Sequence, residues 1–296
     1  MSDVDLGRVG IWTFALNLVP SHRAAELVRR LEELGYGTLW MPDALARDPL
    51  VQSALLLSDT QTLRVGTGIA SIYGRDAVTM AAGWRTVSEA FPGRFVLGLG
   101  VSHAPMVEGL FQREYARPVT TMRAYLERMD AAPFMGLAPP VPPRRVLAAL
   151  GPRMLALAAE KADGAHPYLV TPEHSAFARE RLGPGKILAP EQGVVLERDP
   201  AEARRIARAH LAIYLSLPNY VNNFRRLGFT EDDASGGGSD RLVDGVVAWG
   251  GVEDVAARVR AHHAAGADHV ALQVLTPDPQ SVPLEQWEQL AASFAG

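Results

Sequence analysis

Eight short, uniformly apolar runs recur along the chain, each separated from the next by a longer stretch, and this rhythm restricts the fold more than any other feature. The runs are Val9–Thr13, Thr38–Met41, Arg64–Ile69, Arg94–Leu99, Arg145–Ala149, Gly164–Pro167, Ile187–Leu196 and His269–Val274. None alternates apolar with polar residues, so they read as parallel strands covered on both faces. Between them, Ser21–Leu34 puts Ala25, Leu27, Val28, Leu31 and Leu34 on one helical stripe and stops at Gly35. Asp76–Ala90 opens on a capping-type Asp, and Pro152–Ala162 on a proline at the first helical position. Thr171–Leu182, Pro200–Leu217 and Val252–Ala265 carry comparable start and stop patterns. Strand–helix alternation with right-handed crossovers predicts a (β/α)8 TIM barrel with insertions, one α/β domain over residues 1–296. An open doubly wound sheet needs a glycine-rich turn after its first strand, and Phe14-Ala15-Leu16-Asn17 stands there instead.

Two stretches break the rhythm. Pro133 to Pro143 holds five prolines and predicts an irregular connection. Residues 219–244 include Glu231-Asp232-Asp233-Ala234-Ser235-Gly236-Gly237-Gly238-Ser239 and predict a flexible insertion or lid.

Composition excludes several chemistries. The chain has no cysteine, which removes disulfides, thiolate metal sites, iron–sulfur clusters and cysteine nucleophiles. A net charge of −4 argues against nucleic acid or an anionic membrane as partner. The first ten residues are acidic and lack an apolar secretory segment, and no run approaches the ~18 apolar residues of a membrane span. A cytoplasmic protein is expected. No metal is expected either: His-x-His and His-Glu-x-x-His are missing, and His262 and His263 point to different helix faces. Neither a Gly-x-Ser-x-Gly elbow nor a phosphate-binding Gly-x-x-x-x-Gly-Lys loop is present.

In a barrel, chemistry collects at the C-terminal ends of the strands. Here these ends hold Trp12 and Thr13, Asp43, Gly68–Ser71, Gly100–His103, Ala149–Arg153 and His166–Tyr168. Asp43 is placed to accept a proton or meet a cofactor edge, and equally to cap a loop. The glycines of Gly66-Thr67-Gly68 and Gly98-Leu99-Gly100 mark either close backbone approach to a ligand or tight packing. His103 titrates near neutrality and suits proton transfer, although a loop histidine is more often structural. Leu150-Gly151-Pro152-Arg153 offers helix-start N–H groups and a guanidinium to an anion, or is an ordinary turn.

Taken together, these strand ends resemble one family. Arg64-Val65-Gly66-Thr67-Gly68-Ile69, the Asp76–Ala90 helix and Phe91-Pro92-Gly93-Arg94-Phe95-Val96-Leu97-Gly98-Leu99-Gly100 resemble the central segment of the bacterial-luciferase-like monooxygenase superfamily. Gly35-Tyr36-Gly37-Thr38-Leu39-Trp40-Met41-Pro42-Asp43 is similar to its first βαβ unit, and Leu99–Pro105 and Ala148–Pro172 are similar to oxidoreductases that use coenzyme F-420, an 8-hydroxy-5-deazaflavin.

The resemblance implies a cofactor site. It implies a non-prolyl cis peptide at Gly68–Ile69, whose backbone with Ala70 supports one face of the ring, flanked by Gly100, Val101 and Ser102. It implies Asp43 near the tricyclic ring and the cofactor phosphate on Ala148, Ala149, Leu150 and Gly151, with Arg153 beside it. Three positions depart from relatives: Ala44 stands where several dehydrogenases have a catalytic His, His103 where some have a Glu, and Leu150 where many have glycine. His103 is thus the candidate catalytic residue, with Trp12, Phe14 and Tyr168 lining the substrate side. The expectation is hydride transfer between deazaflavin C5 and a small organic substrate, with a second copy of the chain, in a homodimer, as the partner the resemblance allows. The alternatives are an FMN-dependent monooxygenase with a separate reductase and a non-catalytic flavin- or deazaflavin-binding protein.

Overall fold

A computed structural model describes residues 5–294. Strand β1 (Val9–Trp12) leads through a 3-10 turn, Ala15–Asn17, into α1 (Ser21–Glu33), and β2 (Thr38–Met41) leads into α2 (Pro49–Ser58). Next come β3 (Arg64–Thr67) and β4 (Ala70–Ser71) before α3 (Ala77–Ala90), then β5 (Phe95–Gly100) before α4 (Ala104–Gly109) and α5 (Pro118–Asp130). Strand β6 (Arg144–Leu147) precedes α6 (Pro152–Lys161), and β7 (Gly164–Ala165) precedes α7 (Pro172–Leu182). Strands β8 (Ile187–Leu188) and β9 (Glu191–Val195) are followed by α8 (Pro200–Tyr214), α9 (Pro218–Arg226) and α10 (Asp240–Val246). Finally β10 (Val247–Trp249) leads into α11 (Val252–Ala264), and β11 (Val270–Val274) into α12 (Leu284–Ala291).

Every strand pairing is parallel, and the order is β10-β9-β11-β1-β2-β3-β5-β6-β7-β8, with β4 beside β5. The eight expected strands therefore appear as eleven segments. The third is divided at Gly68–Ile69, and the seventh at Ala189–Pro190, where proline has no N–H to give the ladder. On either side of that break, β8 pairs with β7 and β9 pairs with β11. Segment β10 was not expected, because three residues are too few to carry a pattern.

The sheet separates two apolar layers. Its outer face packs on the helices through residues such as Leu27, Leu31, Leu57, Met80, Leu97, Leu126, Leu155 and Val259. The enclosed cluster joins Trp12, Trp40, Val96, Val146, Ala189 and Ala271 with Tyr168 and Ile187 at its edge. Two indoles need room there: a Cβ on Gly66 would lie 2.5 Å from the Trp40 ring, so glycine is required by packing. Trp40 also stacks on His166, with ring centroids 4.3 Å apart.

Helix starts follow the sequence closely. Asp48, Asp76, Thr171, Asp199 and Ser239 cap α2, α3, α7, α8 and α10 with side-chain oxygens. Gly35 follows α1 with φ +83°, as its stop position requires. Helix α2 was not anticipated: Val51 and Leu55 are exposed, so its apolar residues form no stripe. Residues 132–143 contain no helix or strand beyond bends. Among the described residues no helix is long and apolar enough to cross a membrane.

Candidate active site

The strand ends bring together most of the residues singled out by sequence. The Trp12 indole N–H donates to the Gly68 carbonyl oxygen at 3.0 Å. The Gly68–Ile69 peptide is cis, as the resemblance implied. Asp43 stitches this bulge to β2: its backbone N–H donates to the Ile69 carbonyl, and its Oδ2 accepts the Ser71 N–H at 3.2 Å. The same oxygen pairs with Arg75 at 2.9 Å, and Arg75 also holds Asp48. Asp43 caps no helix; the cap of α2 is Asp48, five residues on.

Glycines in this region are explained by close packing of side chains. A Cβ on Gly68 would fall 2.5 Å from Trp12 Nε1, and one on Gly100 would fall 1.8 Å from Ile69 Cδ1. Gly98 is closed off by the Thr67 carbonyl, 2.0 Å from its Cβ position. Ala148 stands 3.4 Å from the Cβ position of Gly100, so the ends of β5 and β6 adjoin.

Beyond β5 the chain turns through half-buried Val101 and Ser102, the latter left-handed at φ +54°. His103 follows and begins α4 without a side-chain cap bond. Its ring is half-buried, 5.7 Å from Tyr220, and its Nδ1 has no hydrogen-bond partner. Burial holds its pKa below the usual imidazole value, and the nearby Asn219 side chain partly offsets this. At neutral pH the imidazole is uncharged and unpartnered at one buried nitrogen, a state with a free site for a proton.

The loop from Ala148 to Arg153 leads into α6. Ala149 is buried, Gly151 occupies the cap position, and no side chain satisfies the first N–H groups of the helix. His174 donates from Nε2 to the Leu150 carbonyl at 2.9 Å. Arg153 is exposed. A second guanidinium, Arg226 of α9, reaches within 3.6 Å of the Cβ position of Gly151 and donates to Asn223 Oδ1 at 3.2 Å. Sequence reasoning missed Arg226, which lies seventy-five positions away in sequence and in an unforeseen helix.

Tyr168 is the hub of a polar aromatic wall. Its ring lies 5.3 Å from Trp12, and its hydroxyl donates to Gln273 Oε1 at 2.6 Å. The same oxygen meets the Tyr214 hydroxyl at 3.0 Å and His210 Nε2 at 3.1 Å. Tyr220 packs on Tyr214 and Tyr168. Phe14 precedes the 3-10 turn, half-buried, and takes no part in these ring contacts. His210, Tyr214, Tyr220 and Gln273 carried no local motif; only topology places them over Tyr168. Among the described residues no group of three or more His, Asp or Glu is arranged to hold a metal ion.

Comparison with known proteins identifies the family and the fold. The family profile described as luciferase-like monooxygenase matches residues 8–269. A protein of Mycobacterium tuberculosis named as a coenzyme F-420-dependent oxidoreductase is 27% identical over 87% of this chain and 91% of its own. A 5,10-methylenetetrahydromethanopterin reductase of Archaeoglobus fulgidus is 26% identical over 74% of each chain. Among solved structures, a coenzyme F-420-dependent secondary alcohol dehydrogenase superposes with a TM-score of 0.78 at 13% identity, covering 98% of this chain and 99% of that one. The FMN-bound oxygenating component of 3,6-diketocamphane monooxygenase from Pseudomonas putida superposes with a TM-score of 0.68 at 14% identity, covering 96% and 95%. At such identities these two structures establish the shared fold.

Proposed function

The chain belongs to the luciferase-like monooxygenase family, and from that premise we propose that it is an oxidoreductase using coenzyme F-420 on a small organic substrate. The observation that carries the proposal is His103, a neutral imidazole at the end of β5 with an unpartnered nitrogen. The similarity to an oxidoreductase named for this cofactor supports it. In the same reading the parallel array is an eight-stranded barrel, with β3–β4 and β8–β9 each counted as one strand and β10, which pairs with β9 alone, outside the eight, and residues 219–244 form a lid over its mouth.

The residues present fit such a cofactor. The uncapped start of α6 and Arg226 suit a phosphate, because free N–H groups and a guanidinium both favour negative charge. The backbone of Ile69, Ala70 and Gly100–Ser102 offers a flat support for a ring, with Asp43 at its edge. Bound there, a deazaflavin would supply hydride chemistry at its C5. The protein's share is to hold both partners in near-attack range and to manage the proton. His103 takes or returns that proton at Nδ1. Trp12, Tyr168, Tyr214 and Tyr220 exclude water from the substrate side.

A fluorescence titration of the apoprotein with oxidised coenzyme F-420, and in parallel with FMN, tests the proposal. Deazaflavin binding at about micromolar or tighter, with FMN about tenfold weaker, is the expected result. The reverse preference would move the protein to the oxygen-using monooxygenases. Binding of neither would end the proposal.

A further inference from the structure

Glu191 is the one acidic side chain in the enclosed half of β9, and it is completely buried. Its environment is unusually specific. The Glu191 backbone N–H donates to the Pro167 carbonyl at 2.8 Å, while its Oε2 accepts the Leu169 N–H at 2.9 Å. One residue thus grips the turn on both sides of Tyr168. Leu169 is left-handed at φ +52°, a conformation that is unfavourable for a residue with a side chain. The two Glu191 bonds offset that cost, and they point the Tyr168 ring toward Gln273, Tyr214 and His210.

The other carboxyl oxygen, Oε1, has no partner. It lies 3.7 Å from the Cβ position of Gly193, the next inward-facing residue on β9. The titratable groups that face it are Tyr168 from the turn after β7, Tyr214 from α8 and Tyr220 from α9. His210 lies beyond them on the Tyr168 hydroxyl, and the β11 residues paired opposite, Ala271 and Gln273, are uncharged. Among the described residues no cation compensates this carboxyl. An un-ionised acid suits the site, with its carbonyl-type oxygen on Leu169 and its O–H at Oε1.

We propose that Glu191 is a positioning residue that, in its un-ionised form, fixes the Tyr168 turn and thereby the hydroxyl wall of the substrate side. This rests on the reading that Tyr168 lines that side. Burial pushes the Glu191 pKa up to about 8. Ionisation above that value places a charge among three phenols and loosens the arrangement.

The test is near-UV circular dichroism of the tyrosine band between about pH 6 and 9.5, on the apoprotein, for wild type, Glu191→Gln and Tyr168→Phe. Wild type is expected to show a transition centred near 8. Glu191→Gln keeps an acceptor for Leu169, so it should retain the neutral-pH spectrum and lose the transition. Tyr168→Phe should lose at least half of its amplitude. A transition that persists in Glu191→Gln, or one whose amplitude is unchanged in Tyr168→Phe, overturns the proposal. Should Glu191→Gln fail to fold, the wild-type and Tyr168→Phe comparison still decides it. The measurement needs no cofactor. A failed cofactor titration with an intact transition would therefore refute the enzymatic reading and leave the positioning role standing. In the loaded enzyme, KM for substrate should rise through the same pH interval in wild type and stay flat in Glu191→Gln.

Discussion

Ile69 occupies the space that a side chain on residue 100 would need: a Cβ built on Gly100 falls 1.8 Å from Ile69 Cδ1. The contact links the bulge after β3 to the end of β5, where the ring support is proposed. Gly100→Ala must displace Ile69, and overpacking of this kind costs about 1–3 kcal/mol. Thermal unfolding should show a loss of roughly 2–10 °C for a chain of this size. Adding Ile69→Ala, which removes the clashing Cδ1, should recover part of the loss caused by Gly100→Ala. Additive losses in the double variant would mean that the two side chains do not compete for that space.

Proton transfer at His103 predicts a division between chemistry and binding. His103→Asn retains a polar group of similar size but cannot exchange a proton near neutral pH. Turnover is expected to fall by about tenfold or more, with deazaflavin affinity within about twofold of wild type. Steady-state kinetics together with the fluorescence titration measures both. Unchanged turnover would assign the proton to another group.

How much of this was legible beforehand depended on range. The alternation of parallel strands and helices was readable because buried parallel strands are uniformly apolar, and this is a local property of runs such as Val9–Thr13 and Arg94–Leu99. The Phe91–Gly100 string was equally legible, but its residues turn out to be mainly scaffold. Gly93 is left-handed at φ +71°, Arg94 clamps the Leu63 carbonyl and Thr60, and Gly98 and Gly100 make room for their neighbours on the bulge. The wall around Tyr168 was not legible. Its partners come from α8 and β11, forty-two to one hundred and five positions away, and neither period nor motif encodes such a meeting. Glu191 was hidden for another reason: one acid in an apolar run reads as a strand end until the fold buries it.

Arg226 predicts a phosphate-dependent effect. If its guanidinium and the start of α6 share an anion, Arg226→Ala should weaken binding of a phosphate-bearing flavin or deazaflavin by about tenfold. Riboflavin, which has the ring without the phosphate, should bind both proteins equally. Added salt should also weaken the wild-type complex more than the variant complex. A loss that is equal for riboflavin and FMN would place Arg226 at the ring or in the scaffold.

Buried histidines set the response to acid. His269 donates from Nδ1 to the Gly7 carbonyl at 2.7 Å, and its Nε2 accepts the Trp40 indole N–H at 3.1 Å, so a second ring proton would break the latter bond. His262 is likewise held between Ser175 and Gln192. Burial lowers His262 and His269 to about 3, and His166, His174 and His210 to about 4. The unfolded chain takes up these protons near 6.5, so the stability they contribute is complete above that pH and is lost as pH falls toward the folded values. Each imidazole contributes a slope of up to roughly 1.4 kcal/mol per pH unit in that window. Glu191 acts in the opposite direction, because its folded pKa of about 8 exceeds the ordinary value of 4.5, and stability falls as pH rises between the two. Five imidazoles outweigh one carboxyl below 6.5, so Tm should peak near neutral pH and drop more steeply on the acid side. Scanning calorimetry from about pH 4.5 to 9 tests this. Glu191→Gln should flatten the decline between about pH 6.5 and 8 and steepen the acid limb, because the carboxyl opposes the imidazoles from 4.5 upward; a symmetric profile in wild type would show that these imidazoles are not held neutral by the fold.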